Sequence, residues 1–399
     1  MVEIAQRMAR IKPSATMAIT SLAAELRAAG KDVIGLGAGE PDFDTPEPVR
    51  EAAKRAIDRG QTRYTAVDGT PALKQAVADK FRRDNGLDYA LDQISVASGG
   101  KQILYNAFMA TLNPGDEVII PAPYWVSYPD MVQLAEGQPV ILECSEAAGF
   151  KLTPAQLSAA INERTRWLVL NSPSNPTGVT YSAEELGALA EVLLEHPDLM
   201  ILTDDIYEHL IYDGSFSTIA QVEPRLVART LTCNGASKAY AMTGWRIGFA
   251  AGPATLIKAM AKIQSQSTSN PSSVSQAAAE AALNGDQSFL EARNKTFRER
   301  RDIITAMLNA ANGLSCQTPA GAFYVYPSCA GAIGKRSPDG TVIKSDSDFA
   351  RYLLDLVQVA VVPGVAFGLS PYFRVSYATS TEALKAAGAR IQEACARLT

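Results

Sequence analysis

The sequence predicts an α/β protein, with a large domain built on a mostly parallel sheet flanked by helices and a smaller α/β domain beside it. Three observations carry this expectation. Short apolar runs alternate with amphipathic helical runs through the middle of the chain, the pattern of a parallel sheet wound with crossover helices. Those apolar runs close in polar residues, as strands do at the edge where open α/β sheets bind ligands. At 399 residues, the chain is long for one small core and suited to two.

The elements follow in order. Ile94 to Ser98 reads as a strand, and Gly99-Gly100 then opens an amphipathic helix through Leu112. A turn at Asn113-Pro-Gly-Asp precedes the buried strand Glu117 to Pro121. WLVLNSP from Trp167 and LMILTDD from Leu199 repeat the pattern. TLTCNGASK from Thr230 and WRIGFAAG from Trp245 give two more strands around a loop. The charged helical stretch FLEARNKTFRERRDIITAMLNAA follows, and its basic run is expected to be a solvated face. It leads into GAFYVYP, a second helical region and the strand-like FRVSYATS. The expected division is a large domain over 46–290 and a small one over 1–45 and 291–399, with an N-terminal lid segment.

Composition removes several function classes. With 37 basic against 42 acidic residues the net charge is -5, which offers no electrostatic footprint for nucleic acid or an anionic membrane. The five cysteines lack metal-knuckle or CxxC spacing and read as reduced thiols of a cytosolic protein. Only two histidines occur, His196 and His209, so a multi-histidine metal centre is not expected; both are read as structural. The start MVEIAQRMARIKPSAT has no continuous apolar segment. The longest charge-free apolar stretch, Leu356 to Phe373, is broken by Pro363, Gly364, Gly368 and Pro371. A soluble cytoplasmic protein is expected.

Isolated charges in otherwise uncharged windows mark the chemistry. Lys238 is the only charge between Arg229 and Arg246 and lies in a loop of small residues between apolar strands. Loss of hydration there lowers a lysine's pKa and makes it a Schiff-base nucleophile. Arg246, in GWRIG, is expected as a strand-borne guanidinium able to meet a phosphate dianion. Asp204 closes LMILTD at a strand end, where a buried carboxylate needs a partner or acts as a cap, and Tyr207 follows three residues later. Asn175 sits in NSPSNPTG, a window without charge, and its bond to Pro176 is a candidate cis peptide; plain turn chemistry is the alternative. Arg374 is the only charge between Asp355 and Glu382. On a strand it needs an anion, either a substrate carboxylate or a distant acidic side chain. Gly35, Gly37 and Gly39 lack dinucleotide-loop spacing, whereas Ser98-Gly99-Gly100 places a helix N-terminus after a strand, as a phosphate cradle requires.

Taken together these residues resemble a pyridoxal phosphate site, and the whole chain resembles the fold-type I, class I aminotransferases. SKAYAMTGWRIGFAAGP looks like the lysine signature of that family, and NSPSNPTG, DDIYEHL and FRVSYATS stand in its order. The resemblance implies pyridoxal 5'-phosphate as cofactor, held covalently by Lys238, which then shuttles the substrate's proton. It implies Asp204 on the pyridine nitrogen, Asn175 and Tyr207 on the phenolate oxygen, and Gly99, Gly100, Arg246 and Ser237 at the phosphate. Ser237 enters because Gly235 stands where some relatives have serine. Trp125 would stack on the ring, with a core tryptophan as the alternative. Tyr64 would reach the neighbouring subunit's phosphate, which implies a homodimer with shared sites. Arg374 would clamp the α-carboxylate, aided by Gly39. The N-terminal IKPSAT and GGKQ resemble the bacterial aspartate/prephenate subgroup. By that likeness Ser14, Thr16 and Lys101 would approach a distal carboxylate, and Lys12 the ring carboxylate of prephenate. The implied reaction moves the amino group of L-aspartate to 2-oxoglutarate and to prephenate, giving L-arogenate. Amino and keto acids would be its small-molecule partners. A plain aspartate or broader aromatic aminotransferase, or a β-lyase on the same scaffold, is the alternative.

Overall fold

The computed structural model describes residues 2–399. In chain order the strands are β1 (Ile34–Gly35), β2 (Ile94–Ala97), β3 (Glu117–Ala122), β4 (Gln138–Glu143), β5 (Thr165–Asn171) and β6 (Met200–Asp204). They continue with β7 (Thr230–Gly235), β8 (Gly248–Ala251), β9 (Tyr324–Val325), β10 (Val359–Ala360), β11 (Val362–Pro363) and β12 (Phe373–Ser376). A seven-stranded sheet has the order β2-β8-β7-β6-β5-β3-β4. Its strands are parallel except β8, which runs against both neighbours. The expected mostly parallel α/β architecture is present.

Strand alternation buries both faces of this sheet, as helices on each side require. Val118, Ile120, Trp167, Val169 and Leu202 face a core that includes Ile103 and Phe108 from the helix Gly100–Thr111. Their neighbours Ile119, Leu168, Leu170 and Ile201 face the opposite core, with Leu186 and Leu189 from the helix Ala183–Leu194. A separate core gathers Phe297, Ile304 and Leu308 with Phe323, Phe349, Leu353, Val375, Leu384 and Ile391. Leu36, Tyr207 and Leu210 enter that same core from segments distant in sequence. Two small sheets flank it: β1 pairs with β10, and β11-β12-β9 is antiparallel.

The basic run of the helix Phe289–Asn309 departs from the solvated face that its composition suggests. Arg300 and Arg301 are buried. Arg300 forms a fork with both oxygens of Asp42 at 2.8 and 2.9 Å. Arg301 pairs with Asp213 and donates to the carbonyl of Pro319 at 2.8 Å. Arg301 also pairs with the adjacent Asp302 at 2.8 Å, but Asp42 and Asp213 lie far away in sequence, so a local charge count does not find them. All five cysteines are buried and unpaired with one another. Among the described residues no helix is long and apolar enough to cross a membrane.

Candidate active site

Because β2, β5, β6 and β7 run the same way, their carboxyl ends share one edge of the sheet, and the candidate residues follow from those ends. Asp204 is the last residue of β6, in register with Asn171 of β5 and Cys233 of β7. It is buried, and the hydroxyl of Tyr128 donates to its Oδ2 at 2.7 Å. Burial raises the Asp204 pKa, against the hydrogen bonds of Tyr128 and the Ile206 N–H and the charge of Lys238. Tyr128 is a site residue that sequence reasoning missed. It lies three residues after Trp125, its N–H donating to the Trp125 carbonyl at 3.0 Å, and the two rings meet edge to face at 5.4 Å. Lys101 lies over the other aromatic of this pair, its Nζ 4.9 Å from the Trp125 ring.

After β2 the chain turns at Gly99, whose φ of 93° is left-handed, and the helix Gly100–Thr111 begins. A Cβ at Gly99 would collide with the Arg246 guanidinium, so only glycine allows this approach. Arg246 itself corrects the expectation of a strand-borne guanidinium. It precedes β8 in a left-handed conformation, φ 57°, after the short turn Thr243–Trp245. This places it at the shared strand edge, since β8 starts where its neighbours end. Its Nη1 donates to the carbonyl of Thr243 at 2.9 Å and its Nη2 to that of Ser98 at 3.4 Å, with no carboxylate partner among the described residues. An unpaired guanidinium beside a helix N-terminus is fitted to a phosphate.

Lys238 follows β7 and is partly buried, next to buried Ser237. Its Nζ donates to the carbonyl of Gly39 at 2.7 Å and stands 5.8 Å from the centre of the Tyr207 ring. Burial and the charge of Arg374 push its pKa down to about 8, although Glu40 and Asp204 pull the other way. Such an amine is readily deprotonated and nucleophilic. Tyr207 is buried on the turn after β6, its hydroxyl 2.8 Å from that of Tyr324. Tyr324, on β9, is a second missed neighbour, since one tyrosine in GAFYVYP carries no sequence signal apart from its strand.

Arg374, on β12, is 1% exposed. Its Nη1 donates to Asn175 Oδ1 at 2.7 Å and its Nη2 to the carbonyl of Gly37 at 2.6 Å, while Nε has no partner. The rings of Tyr324 and Phe367 lie 4.6 and 5.0 Å from the guanidinium. The alternative of a distant salt bridge is therefore not realised among the described residues. Asn175 is buried and its bond to Pro176 is cis.

The N-terminal residues are arranged less tightly. Ser14 caps the helix Ala15–Ala28 through the Met17 N–H at 3.5 Å, and Thr16 has a buried hydroxyl without a partner. Lys12 is exposed and faces Asp130. Burial raises the Asp130 pKa, against the Lys12 N–H and the charges of Lys12 and Lys101. Tyr64 is 91% exposed, and no hydrogen bond ties it to the other candidates.

The donor set suits one compact anionic cofactor with a carbonyl and a basic ring. It combines an unpaired arginine at a helix start, a buried carboxylate, a low-pKa lysine without an acidic contact and a buried arginine with an unused donor. Fold and site thus have the form of an aminotransferase, with a low-pKa lysine and a buried, acid-free arginine at one strand edge. Residues 31–391 match the family Aminotransferase class I and II, and the chain belongs to that family. A Cereibacter sphaeroides protein named aspartate/prephenate aminotransferase is 61% identical over 396 residues, covering 99% of each chain. A Rhizobium meliloti aspartate aminotransferase is 60% identical, over 99% of this chain and 96% of its own. The crystal structure of an aspartate aminotransferase from Rhizobium meliloti superposes with a TM-score of 0.97 at 59% identity, covering 100% of both chains. That of the Thermus thermophilus aspartate aminotransferase with maleate gives 0.93 at 45% identity, over 99% and 100%.

Proposed function

We propose that this protein transfers the amino group of L-aspartate to 2-oxoglutarate and to prephenate in a ping-pong cycle, with pyridoxal 5'-phosphate as its cofactor. The observation that carries the reading is Arg374, a fully buried guanidinium facing no acid, in a site that also holds Lys238. The high identity of relatives named for aspartate and prephenate supports the choice of substrates. When bound, the cofactor supplies a carbonyl that exchanges amino groups and a ring that withdraws electrons.

The chain's own residues do the rest. Lys238 would hold the cofactor and, as an amine of lowered pKa, would move the proton at the substrate's Cα. Asp204 would pair with the ring nitrogen and favour its protonated form, with Tyr128 as its support. Asn175 and Tyr207 donate to the ring oxygen, Trp125 covers the ring, and Gly99, Gly100, Ser237 and Arg246 receive the phosphate. Arg374 takes the α-carboxylate, with Gly39 alongside. Ser14, Thr16 and Lys101 approach the distal carboxylate, and Lys12 the ring carboxylate of prephenate. Tyr64 belongs to the phosphate site of a second subunit, so the working unit is a homodimer in the cytoplasm. The division into 46–290 and 1–45 with 291–399 is part of the same reading, and closure of the N-terminal segment excludes water.

The deciding experiment follows the absorbance of the bound cofactor through two half-reactions. Aspartate should bleach the carbonyl form, and prephenate, supplied after removal of excess aspartate, should restore it. Restoration by 2-oxoglutarate alone would leave an aspartate aminotransferase without prephenate use, and pyruvate or ammonia among the products would indicate a lyase. Two variants extend the test. Lys12→Ala should lower kcat/KM for prephenate by at least about tenfold, one lost charge contact, and leave aspartate within about twofold; equal losses would make Lys12 structural. Tyr128→Phe removes a donor to a buried carboxylate, which raises the Asp204 pKa further. The acid limb of the pH–kcat profile should move to higher pH and kcat fall by about tenfold, whereas an unmoved limb would separate Tyr128 from catalysis.

A further inference from the structure

Behind the turn that follows Asp204 and carries Tyr207 lies a buried charged cluster for which the mechanism above has no use. Lys80, on the helix Pro71–Asn85, is 1% exposed and shares its helix with the buried apolar residues Leu73, Val77 and Phe81. Its ammonium pairs with Glu208, donates to Asn85 Oδ1 at 2.8 Å and lies 3.8 Å from Asp84. Asn85 Nδ2 donates to the second oxygen of Glu208 at 3.0 Å. Glu208 directly follows Tyr207, and its N–H closes the turn on the carbonyl of Asp205 at 2.9 Å. His209 Nε2 meets Asp84 at 3.1 Å, and the His209 carbonyl accepts from Asn294 at 2.8 Å. Asp84, Glu208 and His209 lie close enough together to ligate a metal, but Lys80 already supplies the cation.

A buried ion pair is a poor source of stability, because apolar replacements of like volume are often neutral or stabilising. What this pair does supply is a fixed position. Its one anionic partner on the turn is the residue next to Tyr207, and Asp204 lies only four residues before it. We propose that Lys80 and Glu208 are positioning residues for the reaction, pinning the 205–210 turn so that Asp204 and Tyr207 keep their direction toward the cofactor. The inference rests on the roles proposed above for those two residues. The charged and titratable groups facing the turn are Lys80, Arg83 and Asp84 from the helix, and Asp205, Tyr207, Glu208 and His209 from the turn itself, with Tyr240 beside His209, Tyr89 and Cys233 beside Asp205, and Asp204, Lys238, Tyr324 and Arg374 beside Tyr207.

The test uses the cofactor-loaded protein and the pH at which the bound cofactor changes colour. A Tyr207 hydroxyl donating to the ring oxygen favours the proton-poor form, so loosening it moves that midpoint upward. Lys80→Met should raise the midpoint and lower kcat by about tenfold, with KM for aspartate within about twofold. In the cofactor-free protein the same variant should speed amide hydrogen exchange at residues 205–210 and leave β3 and β5 unchanged. In a Tyr207→Phe background Lys80→Met should move the midpoint no further, because both act through one hydroxyl. Should Lys80→Met fail to fold, Glu208→Gln is measured against the same outcomes. A midpoint and kcat at wild-type values, or a shift that simply adds to that of Tyr207→Phe, would overturn the inference while the role of Tyr207 stands. A Tyr207→Phe protein with an unmoved midpoint would instead remove that role, and the inference with it.

Discussion

A Lys238→Ala protein is expected to lose transamination by at least about a thousandfold, the scale on which a positioned proton-transfer group acts, while its fold and noncovalent cofactor binding persist. The expectation follows from geometry. The other two candidate lysines are placed differently: Lys12 is exposed and faces Asp130, and Lys101 lies over Trp125. Neither touches Gly39 or Tyr207, as Lys238 does. A pH dependence accompanies it. With its pKa pushed down to about 8, Lys238 is mostly ammonium at pH 6 and mostly free amine at pH 9. The rate at which cofactor-free wild-type protein takes up pyridoxal phosphate covalently should therefore rise through that interval and level off. Stopped-flow absorbance would measure this rate, and a flat profile, or near wild-type turnover by the alanine variant, would refute the role given to Lys238.

The second large effect is expected at Arg374. Arg374→Lys keeps the charge but replaces a planar fork with a point donor that cannot span two carboxylate oxygens. It also leaves Asn175 Oδ1 and the Gly37 carbonyl competing for one ammonium, since the two guanidinium nitrogens now serve them separately. A loss of about a hundredfold in kcat/KM, near 3 kcal/mol, is expected for every amino and keto acid, mono- or dicarboxylic. Steady-state kinetics with aspartate, 2-oxoglutarate and alanine would show it. A loss confined to dicarboxylic substrates would contradict assignment of Arg374 to the α-carboxylate.

The parts of this protein legible in its sequence are those fixed by local pattern. The strands ending in Asp204, Gly235 and Ala97 show as apolar runs because the sheet is buried on both faces. Lys238 and Arg374 stand out because a charge inside an apolar window has to have a purpose. What was not legible depends on contacts across long separations. Tyr128 looks like one more aromatic until β6 brings Asp204 beneath it, 76 residues away. Arg300 looks solvated until Asp42 arrives from 258 residues away. Arg246 reads as strand-borne but precedes β8, because a left-handed residue before a strand leaves no periodic trace. Lys80 shows the limit most clearly, since a lysine on an amphipathic helix reads as solvent-facing whether or not a glutamate waits for it inside.

The neutral acceptors around Arg374 have a consequence for selectivity. Folding, and not the arriving substrate, strips water from this guanidinium, and the Asn175 amide oxygen and the Gly37 carbonyl hold its donors in the meantime. A ligand thus meets an arginine already dry and already aimed, and must only outcompete two uncharged oxygens. A carboxylate does so easily through its charge. An amide, an ester or an alcohol offers nothing better than what is already there. The two neutral oxygens around Arg374 therefore act as a threshold that only an anionic partner exceeds.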